Sequence, residues 1–150
     1  MGIERLDTFL RRHRRIALDT SLFIYQLEGN PRYVSVTDQI FSWIERPAGI
    51  AVTSTITMTE LLVQPYRLGD EDRVNLFYGL LSTYPHLEWI APDLQIADLA
   101  ARIRALNGLR TPDALHAATA LQAGAAALIT NDPVFERVLG LEILIIDRLL

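Results

Sequence analysis

Short apolar runs, separated by stretches with helical spacing, constrain the fold of this chain more than any other feature of its sequence. Residues 16–18 and 50–53 are too short to form buried helices and are typical of strands. Residues 87–90, 126–129 and 143–146 have the same character. Strands that alternate with helices imply right-handed crossovers and a parallel sheet. The sequence therefore predicts an α/β fold.

The stretches between these runs carry the apolar stripes and the end signals of helices. Asp70 is expected to cap one helix, and Thr111 and Pro112 are expected to supply the cap and the first position of another. Pro47 to Gly49 should end a third. For residues 55–63 a strand is the alternative, because threonine and isoleucine also suit β-structure. We predict helices over residues 3–15, 20–27, 32–46, 55–63, 70–84, 93–106 and 111–123, and a short one from Pro133.

The composition excludes several kinds of chemistry. The chain has no cysteine, and all 14 of its basic side chains are arginine, so thiolate, P-loop lysine and Schiff-base sites are ruled out. A net charge of −4 argues against binding nucleic acid through basic charge alone. No apolar stretch reaches the roughly 18 residues of a membrane span, so we expect a soluble, cytoplasmic protein. All 150 residues are expected to form one domain, in which residues 1–15 are a helical extension.

Four acidic residues stand where strand-and-helix units begin or end: Asp19, Glu60, Asp113 and Asp132. Sites in parallel sheets form beyond the carboxyl ends of the strands, so these side chains are expected to share one pocket. Carboxylates that converge can bind a hard divalent ion such as Mg²⁺ or Mn²⁺. Such an ion can activate water and hold a phosphodiester oxygen. The four acids therefore predict metal-assisted phosphoryl hydrolysis.

Each acid also has an ordinary structural explanation. Asp19 and Asp132 could cap helices, Asp113 could offset a helix dipole, and Glu60 could be exposed on a helix face. The apolar neighbours of Glu60 and Asp113 favour the shared ion, because a buried carboxylate without a partner is costly. Other classes have less support. Ser21 stands where an aspartate phosphatase usually has a second acid, neither G-x-S-x-G nor G-x-G-x-x-G occurs, and the three histidines are too scattered for zinc.

The four acids lie in segments with recognisable motifs: IALDTSLF at residues 16–23, TMTELL at 57–62, RTPDALHAATAL at 110–121 and ITND at 129–132. In this order the segments resemble the motifs of PIN-domain ribonucleases, and most closely those of the VapC-type toxins of toxin–antitoxin pairs. The resemblance covers about residues 16–146. It implies a single PIN-like domain with a parallel sheet of about five strands flanked by helices. It also implies Mg²⁺- or Mn²⁺-dependent endonucleolytic cleavage of RNA by metal-activated water.

The resemblance implies roles for individual residues and for partners. Asp19 and Asp113 would be metal ligands, Glu60 a ligand or a base acting through water, and Asp132 would complete the catalytic site. Hydrogen bonds from Thr20, Ser21 and Thr130 would orient carboxylates or water, while Asn131 receives no firm role. The implied partners are RNA, a cognate antitoxin protein and a second copy of the chain in a homodimer. The alternatives are a catalytically silent PIN-like interaction module and a PIN-fold nuclease that acts on DNA.

Some residues stand outside these motifs or depart from them. About 15 residues precede the first strand, and Ser21 stands where asparagine is common in the family. Residues 11–15 could contact RNA phosphates, although a solvated helix end is the favoured interpretation. His116 is expected to be a packed or hydrogen-bonded helix residue rather than a general acid. Tyr66, Phe77 and Tyr78 could line a groove for an antitoxin helix or pack inside a dimer.

Overall fold

Five strands form one parallel sheet, as the apolar runs predict. The computed structural model describes residues 2–46 and 49–150. The strands are β1 (Arg15–Leu18), β2 (Ile50–Ser54), β3 (Leu87–Ile90), β4 (Ala127–Thr130) and β5 (Glu142–Ile145). Their order in the sheet is β3-β2-β1-β4-β5, and every neighbouring pair is parallel. The predicted α/β class is therefore confirmed.

Seven α-helices and two 3₁₀ helices account for the helical segments in the described residues. Residues 55–63 are helical, so the strand alternative for them is wrong. None of the helices within residues 2–46 and 49–150 is both long and apolar enough to cross a membrane. The α-helices are α1 (Gly2–Arg12), α2 (Thr20–Glu28), α3 (Val34–Glu45), α4 (Thr55–Arg67), α5 (Glu71–Ser82), α6 (Leu94–Asn107) and α7 (Thr111–Gln122), and the 3₁₀ helices are Pro133–Arg137 and Ile146–Leu149.

The strand order places a topological switch beside the central strand. From β1 the chain runs outward to β2 and β3, and then returns to place β4 on the other side of β1. Leu18 of β1 is paired with Ile129 of β4, so the residues that follow these two strands emerge side by side. In open parallel sheets a crevice forms at such a point, beyond the carboxyl ends of the strands.

Successive strand residues point into two different cores. Ile16 and Leu18 belong to a cluster shared with buried residues of α1 to α5. Ala17, between them, belongs to a second cluster shared with α6 and α7. This alternation follows from the two-residue period of a strand, and it means that helices cover both faces of the sheet. Small side chains such as Ala117 and Ala118, both fully buried, let α7 approach the sheet closely.

Several predicted helix ends differ from those in the structure. Helix α1 ends at Arg12 rather than residue 15, because Arg15 already pairs with Ile50 in the sheet. Asp70 caps α5 as predicted, accepting a 3.0 Å hydrogen bond from the Arg73 amide. The predicted threonine cap of α7 is wrong, because the helix begins one residue earlier, at Thr111 itself, and no side chain caps it. The expected stop from Pro47 falls largely outside the described residues.

The N-terminal extension is an integral part of the larger core. Leu6, Phe9 and Leu10 form the buried face of α1, and the opposite face carries its exposed polar residues. The Arg5 guanidinium donates a 3.0 Å hydrogen bond to the carbonyl of Arg148, near the end of the chain. The extension thus ties the beginning of the described chain to its end.

Candidate active site

The four acids predicted from the sequence line one cleft at the carboxyl ends of the strands. Asp19 directly follows β1 and Asp132 closely follows β4, so both lie at the topological switch. Helix α4 contributes Glu60 and the first turn of α7 contributes Asp113. The cleft has a volume of about 410 Å³ and is lined by Asp19, Thr20, Ser21, Ile24, Tyr25, Glu60, Asp113, His116, Asn131 and Asp132.

Asp19 forms the buried floor of this cleft, with only 7% of its surface exposed. Its Oδ1 caps α2, accepting hydrogen bonds from the Ser21 amide at 3.1 Å and the Ser21 hydroxyl at 2.5 Å. Its Oδ2 accepts a hydrogen bond from the hydroxyl of Thr130, the last residue of β4. The residue therefore is a helix cap and a cleft carboxylate at once, so its two interpretations do not compete.

Burial raises the pKa of Asp19 above its usual range, because an ionised carboxylate loses its hydration there. Hydrogen bonds from Ser21 and Thr130 oppose this rise, and the nearby His116 also opposes it. Among the described residues, the donors that hold the ionised form of Asp19 are amide and hydroxyl groups, and none of them carries a full positive charge. A cation in the cleft would favour that ionised form directly.

Glu60 is held by two donors that converge on the same oxygen. The Thr20 hydroxyl donates to Glu60 Oε1 at 2.7 Å, and His116 Nε2 lies 2.8 Å from the same atom. The hydrogen bond with His116 is the main reason that the pKa of Glu60 lies below its usual range. The Glu60 side chain is 40% exposed, whereas that of His116 is only 4% exposed. The Glu60 carboxylate therefore bonds to a buried histidine on one side and faces the open side of the cleft on the other.

The other two acids differ in their exposure to solvent. The Asp113 side chain is mostly buried, and its Oδ2 lies 3.5 Å from Nε of the highly exposed Arg110. Asp132 is exposed and caps the 3₁₀ helix Pro133–Arg137, accepting a 2.9 Å hydrogen bond from the Val134 amide. Asp132 is thus a helix cap in the structure, and its role in chemistry stays a prediction.

The donor chemistry of the cleft suits a hard divalent cation, although its carboxylates do not gather tightly. Within residues 2–46 and 49–150, no three histidine or acidic side chains are close enough together to hold one metal ion. Each carboxylate instead bonds to protein donors, as Asp19 does to Ser21 and Thr130. Mg²⁺ needs only one or two direct carboxylates because it keeps several of its waters. The oxygen atoms of the cleft therefore suit such an ion in kind, and water would complete its coordination.

The cleft also contains residues to which sequence reasoning gave no role or only a structural one. Ile24 and Tyr25 follow Ser21 by three and four residues on α2, a helical spacing that could have predicted them on the same face. Asn131 donates from Nδ2 to the Tyr25 hydroxyl at 3.2 Å and accepts at Oδ1 from the Asp147 amide at 2.9 Å. These contacts hold the loop after β4 against both α2 and the 3₁₀ helix Ile146–Leu149.

The arginine-rich segment at residues 11–15 lies away from the cleft. Arg15 opens β1 and Asp19 follows it, so the length of the strand separates them by roughly 13 Å. Arg15 pairs with Glu88 at 2.7 Å, and Arg11 pairs with Asp7 at 3.0 Å. These ion pairs at the amino ends of the strands agree with a solvated helix end.

Comparison with solved structures gives relatives of the same fold. A chain of the DNA-bound VapBC complex from Salmonella typhimurium is 24% identical, with a TM-score of 0.67, and the match covers 88% of this chain and 98% of that one. A chain of a toxin–antitoxin complex from Klebsiella pneumoniae is 25% identical, with a TM-score of 0.61 and coverages of 85% and 95%. A chain of VapBC-1 from nontypeable Haemophilus influenzae is 22% identical, with a TM-score of 0.66 and coverages of 89% and 98%.

A comparison with curated proteins gave no match. The sequence does match the family model described as the PIN domain, over residues 16–141. The match begins within β1, so helix α1 lies outside it, and it includes all four acids of the cleft. This chain belongs to the PIN domain family.

Proposed function

We propose that this protein is a metal-dependent endoribonuclease of the VapC type, the toxin of a type II toxin–antitoxin pair. The observation that carries the proposal is the cleft at the switch between β1 and β4, which Asp19, Glu60, Asp113 and Asp132 all line. Structurally similar chains come from VapBC and other toxin–antitoxin complexes, which supports the biological role. A toxin of this kind would act in the cytoplasm.

Asp19 and Asp113 would hold a Mg²⁺ or Mn²⁺ ion, with Glu60 and Asp132 completing the site directly or through water. When bound, the ion would supply charge for the phosphodiester and lower the pKa of water. The raised pKa of Asp19 supports this assignment, because no arginine of residues 2–46 and 49–150 pairs with its ionised form. Ser21 and Thr130 would fix the direction of the Asp19 carboxylate through the hydrogen bonds that they donate to it.

The reaction would be hydrolysis by in-line attack of water on phosphorus. The water oxygen bonds to phosphorus, the bond to the 3′-oxygen breaks, and the products carry a 5′-phosphate and a 3′-hydroxyl. Glu60 would accept the proton of the attacking water, or bind the cation, because the pKa of its carboxyl is lowered and it is ionised at neutral pH. The 3′-oxygen would take its proton from solvent at the open side of the cleft.

The partner surface for an antitoxin would lie beside the cleft, on α4 and α5. A groove there is lined by Leu61, Pro65 and Phe77, and it shares Ile24 and Glu60 with the cleft. An apolar helix bound in this groove would approach the carboxylates directly. Tyr66 and Tyr78 are 64% and 56% exposed on the same two helices, which also offers a surface for a second copy of the chain.

The decisive experiment is cleavage of RNA by the purified protein with added Mg²⁺ or Mn²⁺. We expect cleavage that EDTA abolishes and that Asp19→Asn reduces strongly. Single-stranded DNA of the same sequence is the matched substrate and should remain intact. Cleavage that survives both EDTA and Asp19→Asn would overturn the mechanism. Cleavage of DNA instead would assign a different nuclease activity, and metal binding without any cleavage would indicate a silent module.

A further inference from the structure

A buried histidine lines the cleft beside the four acids. His116 lies on α7 with 5% of its surface exposed, and its side chain lines the cleft. It is three residues after Asp113, so both side chains project from the same face of the helix. His116 Nε2 lies 2.8 Å from Glu60 Oε1 and 3.4 Å from the Thr20 hydroxyl. One helix thus carries a candidate metal ligand and a partner of a second one.

The direction of the hydrogen bond follows from the chemistry of the two groups. A glutamate carboxyl is ordinarily ionised at neutral pH, and a carboxylate oxygen can only accept hydrogen bonds. The hydrogen must therefore lie on Nε2 of His116, whether the ring is neutral or charged. The Thr20 hydroxyl donates to the same oxygen at 2.7 Å. Glu60 Oε1 consequently has two donors, one from α2 and one from α7.

The second carboxylate oxygen is placed differently. Among the described residues, no hydrogen bond reaches Glu60 Oε2, although the side chain lines the cleft. A glutamate on an exposed helix face samples many rotamers, and holding one oxygen restricts the position of the other. Two buried donors on Oε1 therefore leave Oε2 as the oxygen available to a cation or to water.

We propose that His116 is a positioning residue that fixes Glu60 through its Nε2–H, so that Oε2 is presented to the divalent cation. This inference rests on the proposed function in that Glu60 serves the cation. It gives His116 a role beyond packing. The acids would bind the ion, whereas His116 would only orient one of them. Mutation of a residue that is hydrogen-bonded to a metal ligand typically lowers metal affinity or activity by about 10- to 100-fold.

The test compares three substitutions on the same helix. His116→Leu fills the space with an apolar side chain and removes the donor, whereas His116→Gln keeps an N–H at about the same reach. Thr119→Val is the matched control, because Thr119 is also buried on α7 but donates to the Leu115 carbonyl at 2.7 Å rather than to the cleft. Calorimetry with Mn²⁺ alone measures the affinity, thermal unfolding reports the fold, and RNA cleavage gives kcat and KM separately.

We expect His116→Leu to weaken Mn²⁺ binding by about 10-fold or more and to lower kcat, with little change in KM. His116→Gln should recover most of the affinity, and Thr119→Val should bind Mn²⁺ like the wild type. In a Glu60→Ala background, His116→Leu should have no further effect on Mn²⁺ affinity, because the two residues act through one contact. Nitrogen-15 NMR of the metal-free protein should show the ring hydrogen on Nε2.

Particular outcomes would overturn the inference. They are unchanged Mn²⁺ affinity and kcat in folded His116→Leu, an undiminished effect in the Glu60→Ala background, or a ring with hydrogen on Nδ1 alone. If His116→Leu fails to fold, His116→Gln and the NMR measurement still decide. A wild-type protein that binds Mn²⁺ but cleaves no RNA would remove the nuclease proposal, while the Mn²⁺ comparison would still test His116.

Discussion

Thr130, the last residue of β4, donates its hydroxyl to the carboxylate of Asp19, the first residue after β1. The same hydroxyl accepts a 3.0 Å hydrogen bond from the Asp132 amide. Thr130 is fully buried, so its bond to Asp19 lies out of water, whereas the bond from the Asp132 amide is partly buried. One side chain therefore joins the neighbouring strands β1 and β4 at their carboxyl ends, and it links the backbone of Asp132 to the side chain of Asp19.

Replacing Thr130 by valine should distinguish the effect of these hydrogen bonds from the effect of side-chain packing. The change keeps the shape of the side chain but leaves the Asp132 amide and one oxygen of Asp19 without this partner. We expect the free energy of unfolding to fall by about 1–3 kcal/mol and cleavage to slow by about 10-fold or more. Chemical unfolding and single-turnover RNA cleavage measure the two effects. Thr130→Ser, which keeps the hydroxyl, should retain most of the activity, and equal loss in both variants would contradict the role of the hydrogen bonds.

Asp19→Asn should stabilise the metal-free protein at neutral pH. The folded-state pKa of Asp19 lies above its value in the unfolded chain, because burial disfavours the charged form. Ionisation of Asp19 therefore lowers the stability of the fold as the pH rises through the folded-state pKa, and this cost is absent below the unfolded value of about 3.9. Chemical unfolding without divalent ions should show a more stable variant at pH 7 and a difference that shrinks toward pH 4.

The same variant should lose the response to metal. Mn²⁺ should raise the melting temperature of the wild type by binding the folded state, and it should leave Asp19→Asn nearly unchanged. Cleavage should fall by about 100-fold or more, since a bound cation contributes several kcal/mol. A variant that is less stable than the wild type at pH 7 would indicate that the fold itself depends on the charge of Asp19.

The sheet and the positions of the acids could be predicted because both depend on local sequence. An apolar run of four or five residues must be buried, and parallel strands bring their carboxyl ends to one edge. Asp19 and Asp132 follow two such runs, so their meeting at the cleft follows from strand order. The meeting of these two acids can therefore be predicted without knowing how the helices pack, whereas the places of Glu60 and Asp113 depend on α4 and α7.

The contact between His116 and Glu60 could not be predicted in this way. It joins residues 56 positions apart on two helices, and it depends on how α4 and α7 rotate about their axes. The helical pattern of residues 111–123 is dominated by alanine, which gives little amphipathic contrast from which to orient His116. The predicted cap of α7 is wrong for a local reason. Arg110 and Thr111 both precede Pro112, and either could be the residue before the first turn.

Two substitutions at Asp132 should decide between its structural and chemical roles. Asparagine is as good a helix cap as aspartate, so Asp132→Asn should keep the 3₁₀ helix Pro133–Arg137 and the stability. Asp132→Ala removes the acceptor and should cost about 1 kcal/mol in unfolding free energy. If the charge serves the cation, both variants should lose RNA cleavage by about 10-fold or more. Full activity in Asp132→Asn would leave the residue as a cap alone.

Arg110 should contact RNA, whereas Arg11 should not. Both arginines are about 80% exposed, and each pairs with an aspartate one helical turn away. Arg110 lies beside Asp113 at the cleft, while Arg11 lies at the other end of the sheet. Arg110→Ala should weaken binding of single-stranded RNA several-fold and reduce the slope of log affinity against log salt by about 0.7, the value for one phosphate contact.

Arg11→Ala is the matched control for this measurement, because it removes the same charge from the whole protein. It should leave RNA affinity, the salt slope and kcat close to those of the wild type. Fluorescence anisotropy over a range of salt concentrations with Ca²⁺ in place of Mg²⁺ can measure binding while limiting cleavage. Equal losses in both variants would mean that RNA responds to net charge alone, and a loss confined to Arg11→Ala would move the RNA path to the amino ends of the strands.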